Sequence, residues 1–238
     1  YYFRPFTFNL GHSSRVKFKL SLYADDLLLY VTNPVGACPV ILSFFHRFGS
    51  FSGYKINVSK SECYPVNALA MQLSQSDILF KLSPSGFKYL GVHVARSYKS
   101  LYAVNFSPLL TEIKVDFQRW GSLPLSLIGR INVVKMNVLP KFLFLFQCLP
   151  IFLSKVFFKS IDSVISHFLW NGKTPRVGLK ILQNCKFDGG LSLPNFRVYY
   201  WATNITKTIF WLKLEISGKL ILTPCLKCSS RPLIFLRM

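Results

Sequence analysis

Between Leu20 and Val31 the chain reads Leu-Ser-Leu-Tyr-Ala-Asp-Asp-Leu-Leu-Leu-Tyr-Val, two apolar runs on either side of an adjacent acidic pair, Asp25 and Asp26. Strand side chains alternate between faces, so neighbouring acids serve one site only where the chain turns beneath them, and the pattern predicts a tight β-hairpin. Val40, Ile41, Phe44, Phe45 and Phe48 then recur at helical spacing, with Asn33-Pro34 and Gly36 marking a turn before this helix and Gly49 its end. Strict alternation in Tyr54-Lys55-Ile56-Asn57-Val58 predicts a strand that buries Tyr54, Ile56 and Val58. Residues 63 to 86, bounded by Pro65 and Pro84, look irregular. A further strand is predicted over Phe87 to Val94, where Gly91 implies a bend or a close backbone approach.

From about residue 105 the period becomes helical. Leu109, Leu110, Ile113, Phe117 and Trp120 form one apolar stripe; Leu127, Ile131, Val134 and Val138 form a second, ended by Pro140. Phe157, Ile161, Val164, Ile165 and Phe168 form a third, closed by the left-handed capping pair Asn171-Gly172. A turn at Asp188-Gly189-Gly190, a short strand at Leu191 to Leu193 and an aromatic helix from Asn195 to about Leu214 follow, and beyond Ile216 the pattern assigns nothing. Strands followed by helices imply an α+β unit and then a helical one. Trp120, Trp170, Trp201 and Trp211 stand on apolar faces and read as core.

Composition sharpens this picture. With 51% hydrophobic residues and 23 Phe, the 238-residue chain has the means to build a core. Its 29 Lys and Arg stand against 9 Asp and Glu, and a net charge of +20 calls for a polyanionic partner, nucleic acid before all. Mean hydropathy is +0.34, yet the most apolar stretch, Leu139 to Leu153, is broken by Lys141, Gln147 and Pro150, so no membrane partner is expected. Without a basic n-region and apolar block at the start, the chain is expected to be intracellular, nuclear or cytoplasmic, and not secreted. Its first residue is Tyr, which points to a processed chain or to the back part of a longer protein. The cysteines at 38, 63, 148, 185, 225 and 228 form no framework; Cys225 and Cys228 have ligand spacing but lack two further ligands nearby, so no zinc site is expected.

Asp25 and Asp26 repel each other at neutral pH, and a divalent cation relieves that repulsion. Asp is also an ordinary turn residue, so the pair alone leaves both readings open. The order of motifs adds to it. Tyr23-Ala24-Asp25-Asp26 is followed by Ser52-Gly53-Tyr54-Lys55-Ile56-Asn57-Val58-Ser59-Lys60-Ser61-Glu62, Lys88-Tyr89-Leu90-Gly91-Val92, Trp120, and Gly129-Arg130-Ile131-Asn132-Val133-Val134-Lys135-Met136. Leu139-Pro140-Lys141, Phe168-Leu169-Trp170-Asn171, Gly189-Gly190-Leu191-Ser192-Leu193-Pro194 and Tyr199-Tyr200 complete the series. In this content and order the chain resembles the C-terminal half of the reverse transcriptase of a LINE-type non-LTR retrotransposon, starting just before the double-aspartate turn.

The resemblance implies an α+β fold: the C-terminal part of a reverse-transcriptase palm (a β-hairpin, a helix and strands) over 1-100, a helical thumb over 101-172, and a mixed post-thumb segment over 173-238 that is disordered or decayed after about 215. It implies that Asp25 is a ligand of catalytic Mg2+ and Asp26 its supporting neighbour, in a two-metal nucleotidyl transfer. Lys60 matches the position that approaches the nucleotide triphosphate and protonates or stabilises the leaving pyrophosphate. Tyr89, Leu90 and Gly91 resemble the primer grip. Arg130, Lys135, Lys141, Lys173 and Arg176, with Lys155, Lys159 and Lys180, would track phosphates of an RNA template and DNA primer duplex, while deoxynucleotide triphosphates serve the complete enzyme. The family's first metal-binding aspartate lies upstream of the double-aspartate turn, and residues 1 to 17 hold no acid. A fragment without polymerase activity of its own is therefore expected; the alternative is a non-catalytic, basic nucleic-acid-binding remnant.

Overall fold

The computed structural model describes residues 19–31, 33–67, 70–216 and 233–237. They form an α+β architecture of two compact units, one within Tyr1–Arg96 together with Ile221–Met238, the other within Ser97–Leu220.

In the first unit, β1 (Lys19–Tyr23) and β2 (Asp26–Tyr30) make the expected antiparallel hairpin, with Tyr23 opposite Asp26 across the two-residue loop Ala24-Asp25. β3 (Glu62–Tyr64) and β4 (Lys81–Leu82) pair in parallel, so the stretch from 63 to 86 is less irregular than its sequence suggests. A strand that the sequence pattern does not announce, β7 (Leu233–Arg237), runs antiparallel to both β2 and β3 and completes the order β1-β2-β7-β3-β4. The tail beyond 215 is thus strand at 233–237, and residues 217–232 lie outside the described ones.

Both faces of this sheet are covered. Leu27, Leu29, Val31 and Cys63 pack against Ala37, Cys38 and Ile41 of α1 (Pro34–Ser52). On the other face Leu28 and Tyr64 meet Phe87 of a second hairpin, β5 (Gly86–Tyr89) and β6 (Val92–Ala95). The predicted single strand over 87 to 94 is therefore two strands, reversed at Leu90-Gly91, where φ is 47° and 84°. Positive φ at both loop residues is the backbone of a type I′ two-residue hairpin loop.

Three local expectations are corrected. Asn33 and Pro34 are not a separate turn but the start of α1: the Asn33 side chain accepts from the Gly36 N–H at 3.2 Å. Gly49 does not end α1; the helix runs to Ser52 and stops at Gly53, whose φ of 76° lets its N–H reach the Gly49 carbonyl at 2.9 Å. Tyr54 to Val58 is not a strand, because the Asn57 side chain captures the Lys60 N–H at 3.1 Å and winds Val58–Lys60 into a 3-10 turn.

The second unit opens with α2 (Tyr98–Gly121), whose predicted stripe is inward: Leu109, Ile113 and Phe117 are buried. α3 (Leu127–Val133) passes through a π-helical segment, Val134–Val138, directly into α4 (Leu139–Cys148). Pro140 thus does not end this helix. The wider π turn, in which the Leu139 N–H bonds the Val134 carbonyl, absorbs the missing donor and the ring of the proline. α5 (Lys155–Leu169) buries Phe157, Ile161, Ile165 and Phe168, and Asn171 and Gly172 end it with φ of 50° and 74°. After α6 (Leu179–Gln183), Leu191 and Leu193 form no strand; both N–H groups donate to the Leu182 carbonyl, at 3.1 and 2.9 Å. α7 (Phe196–Ile216) closes the unit against α4. The rings of Phe117 and Phe168 stack at 4.2 Å and an interplanar angle of 3°, and Phe106 meets Phe157 edge-on at 5.5 Å.

Candidate metal-binding turn and basic surface

Asp25 is exposed at the tip of the first hairpin, and Asp26 opens β2 half-buried. The turn forms because Ala24 takes φ of 48°, which places Tyr23 and Asp26 opposite each other and leaves Asp25 outside the ladder. By strand alternation Asp26 falls on the face of Leu28 and Tyr30, the face covered by the second hairpin. Tyr89 packs in that same cluster, so the Leu90-Gly91 turn and Asp26 belong to one side of the sheet.

β7 supplies a further relation. It places Arg237 opposite Asp26 and Phe235 opposite Glu62. Lys60 lies two residues before β3, so it stands at the same end of the sheet as the acidic turn, two strand spacings or roughly 10 Å away. Its side chain is exposed, and the Asn57 cap fixes its backbone.

The four acids of this unit are Asp25, Asp26, Glu62 and Asp77. Glu62 pairs with Lys81 at 3.5 Å. Asp77 accepts the Ser74 N–H at 2.9 Å, and this bond holds its carboxyl below the usual range. Among the described residues no group of three His, Cys, Asp or Glu side chains comes together that could hold a metal ion. A magnesium ion takes six oxygens and is commonly held by one or two carboxylates with water and phosphate. Asp25 and Asp26 fit that partial role, whereas a two-ion centre needs a carboxylate that the described acids do not bring.

The basic positions divide into two groups. Arg130 is buried, and its guanidinium donates to the carbonyls of Phe168 at 2.9 Å, Gly121 at 3.3 Å and Leu125 at 3.3 Å. This corrects its expected role as a phosphate contact: all three of its nitrogens face helix ends and the loop between them. Lys135 donates to the Leu191 carbonyl at 3.0 Å. Lys141 bonds Glu112 at 2.6 Å and Asp116 at 3.1 Å, and the Glu112 contact leads in raising its pKa. Lys173 and Arg176 are exposed in the loop after α5, as are Lys155, Lys159 and Lys180 on their helices. Lys114, Arg119 and Arg197, exposed cations of the same unit, escaped the sequence reading because they belong to none of the recognised motifs.

Of the tryptophans expected in the core, Trp120 and Trp170 are half-buried, whereas Trp201 is 49% exposed beneath the Arg197 guanidinium, 4.5 Å from its ring centre. The Trp211 side chain, Cys225 and Cys228 lie outside the described residues. Among the described residues no helix is long and apolar enough to cross a membrane. No protein-family model matches the chain.

Proposed function

We propose that the chain is the C-terminal part of an RNA-directed DNA polymerase of the LINE-type non-LTR retrotransposon class, with the first unit as the end of the palm and the helical unit as thumb and post-thumb. One observation carries the reading: the double-aspartate turn and the Lys60 turn stand at one end of the five-stranded sheet, and the separate Leu90-Gly91 hairpin packs on the face of that sheet to which Asp26 belongs. In the complete enzyme Asp25 and Asp26 would hold magnesium, which supplies charge stabilisation at the transferring phosphate. Lys60, exposed, would stand where triphosphate charge gathers, and the exposed cations of the second unit would hold the template–primer duplex by its phosphates.

Because the described acids form only part of a metal cage, this chain alone binds a template–primer duplex without extending it. Primer extension with magnesium is the test. Template-dependent incorporation by the 238-residue chain, abolished by Asp25→Ala, would overturn the inactivity. A polymerase origin further predicts that a carboxylate-bearing upstream segment, supplied in trans or by fusion, restores incorporation that depends on Asp25. Duplex binding with no restored synthesis favours the second reading, a basic binding remnant.

A further inference from the structure

The C-terminal halves of α2 and α5 enclose a cleft of about 500 Å3, with Lys114, Gln118 and Gly121 on one wall and Ser163, His167 and Asn171 on the other. The order of the Phe106–Phe157 and Phe117–Phe168 ring pairs shows that the two helices run in the same direction, so residues about four apart on each form facing rows. Five of the six side chains are polar and exposed. Among the described residues none of these five bonds another protein group. Lys135, Lys141 and Lys207 differ: their ammonium groups are engaged within the fold.

The floor of the cleft is favourable to an anion. Buried Arg130 bonds the carbonyls of Gly121 and Phe168, two residues that line the cleft, and its guanidinium lies 5.1 Å from the centre of the Phe168 ring. That cation offsets the partial negative charge of two helix C-termini, which alone repel anions. No acid lines the cleft: Glu112 pairs with Lys141, Asp116 with Lys141 and Arg119, and Asp162 interacts with Arg197.

We infer that this cleft binds a nucleoside monophosphate unit, a free nucleotide or one unpaired nucleotide of a strand, with Lys114 on the phosphate and the Gln118 and Asn171 amides on the base edge. The volume lies within the roughly 300 to 1,000 Å3 of small-molecule sites and exceeds what a phosphate alone fills. Each amide offers a donor beside an acceptor, the pattern that a base edge presents in return. Ser163 and His167 bring further hydrogen-bonding groups within reach of the sugar hydroxyls. A base held in such a cleft has left its stack, so the site takes unpaired nucleotides, unlike surface cations that follow phosphates without reading bases.

The choice of a nucleotide rests on the polyanion reading of the chain, and a free nucleotide as probe lets the two fail separately. AMP is titrated into the full chain while the imidazole proton resonances of its four histidines are followed by NMR. The His167 signal, assigned through His167→Gln, should shift and saturate at millimolar AMP or below, and the other three should stay in place. Lys114→Ala should weaken AMP binding about three- to tenfold and leave adenosine binding unchanged, whereas Gln118→Ala should weaken both by a similar factor. Both positions are exposed, and matching circular dichroism spectra establish that the variants fold. A hairpin duplex with one unpaired adenosine that displaces AMP assigns the site to a strand; AMP binding without that displacement assigns it to the free nucleotide. No shift at about 10 mM AMP, an affinity indifferent to both substitutions, or inorganic phosphate binding as tightly as AMP overturns the proposal. A chain that takes AMP in this cleft but binds no duplex keeps the site and loses the template–primer reading; duplex binding with no AMP shift does the reverse.

Discussion

The Nη1 atom of Arg130 donates to the Phe168 carbonyl at 2.9 Å while its guanidinium carbon lies 5.1 Å from the centre of the Phe168 ring. One buried cation thus satisfies a carbonyl at the end of α5 and, through Nη2, the Gly121 carbonyl that ends α2. Helix C-termini carry partial negative charge, so a guanidinium between two of them meets complementary dipoles and fills their unpaired acceptors at once.

Arg130→Met should therefore destabilise the helical unit by about 2 to 4 kcal/mol, since it leaves buried carbonyls without donors. Lysine, a single point donor, should recover only part of the loss. Urea denaturation measures both. The slope of duplex affinity against salt should stay unchanged in the folded variant, and a slope smaller by about one phosphate would return Arg130 to the binding surface.

Leu90 holds φ of 47°, a conformation that costs a branched side chain roughly 1 to 2 kcal/mol. Leu90→Asn, which suits the first position of such a loop, should raise stability by about 1 kcal/mol. A fall in the denaturation midpoint would show instead that contacts of the Leu90 side chain outweigh the backbone cost.

Burial pushes the Asp162 carboxyl above its ordinary range, and Arg197 offsets this only in part. A carboxyl whose folded pKa is raised binds its proton more tightly in the folded state. Its contribution is complete below the unfolded pKa and is lost as pH rises through the folded one. Asp162→Asn should accordingly be more stable than the parent near pH 7 and equal to it near pH 3. Matched denaturation curves at the two pH values decide it, and a variant weaker at neutral pH would contradict the sign.

Burial pushes the Cys38 thiol up to about 11 and the Cys63 thiol to about 12, with the neighbouring Cys38 adding to the latter. Both lie in the core between α1 and the sheet, whereas Cys148 and Cys185 are exposed. Brief alkylation of the native protein, mapped by mass spectrometry, should label Cys148 and Cys185 and spare Cys38 and Cys63 until denaturant is added. Labelling of Cys63 at the rate of Cys185 would mean that this core opens readily.

Gly49 shows where local signals stop short. A glycine late in a helical pattern reads as a terminator, yet here it stands inside α1, where a Cβ would run into the Tyr54 carbonyl oxygen of the returning chain. The glycine answers a close approach that involves a residue beyond the helix. Pro140 is similar, tolerated because a π turn precedes it. By contrast the stripes of α2 and α5, the Asn171-Gly172 cap and the double-aspartate hairpin were all legible, since each follows from residues within a turn or two of one another.

The outer aromatics of α1 mark the same boundary. Val40, Phe44 and Phe48 have helical spacing but are exposed, and the buried face is Pro34, Ala37, Cys38 and Ile41. With apolar residues on both sides of a helix, periodicity cannot choose the face, and packing against the sheet does.

Sequence alone therefore determined the α+β class, the tight turn that presents Asp25, and a net charge of +20. Tertiary structure decided which cations are engaged within the fold, for Arg130, Lys135 and Lys141 bond carbonyls and carboxylates 25 to 56 residues distant in the chain. It also decided that β7 joins β2 to β3 and brings the Lys60 turn to the acidic end of the sheet. The reason is common to both: hydrogen bonds and strand pairing between distant segments depend on where the folded chain returns, and local propensity holds no record of that.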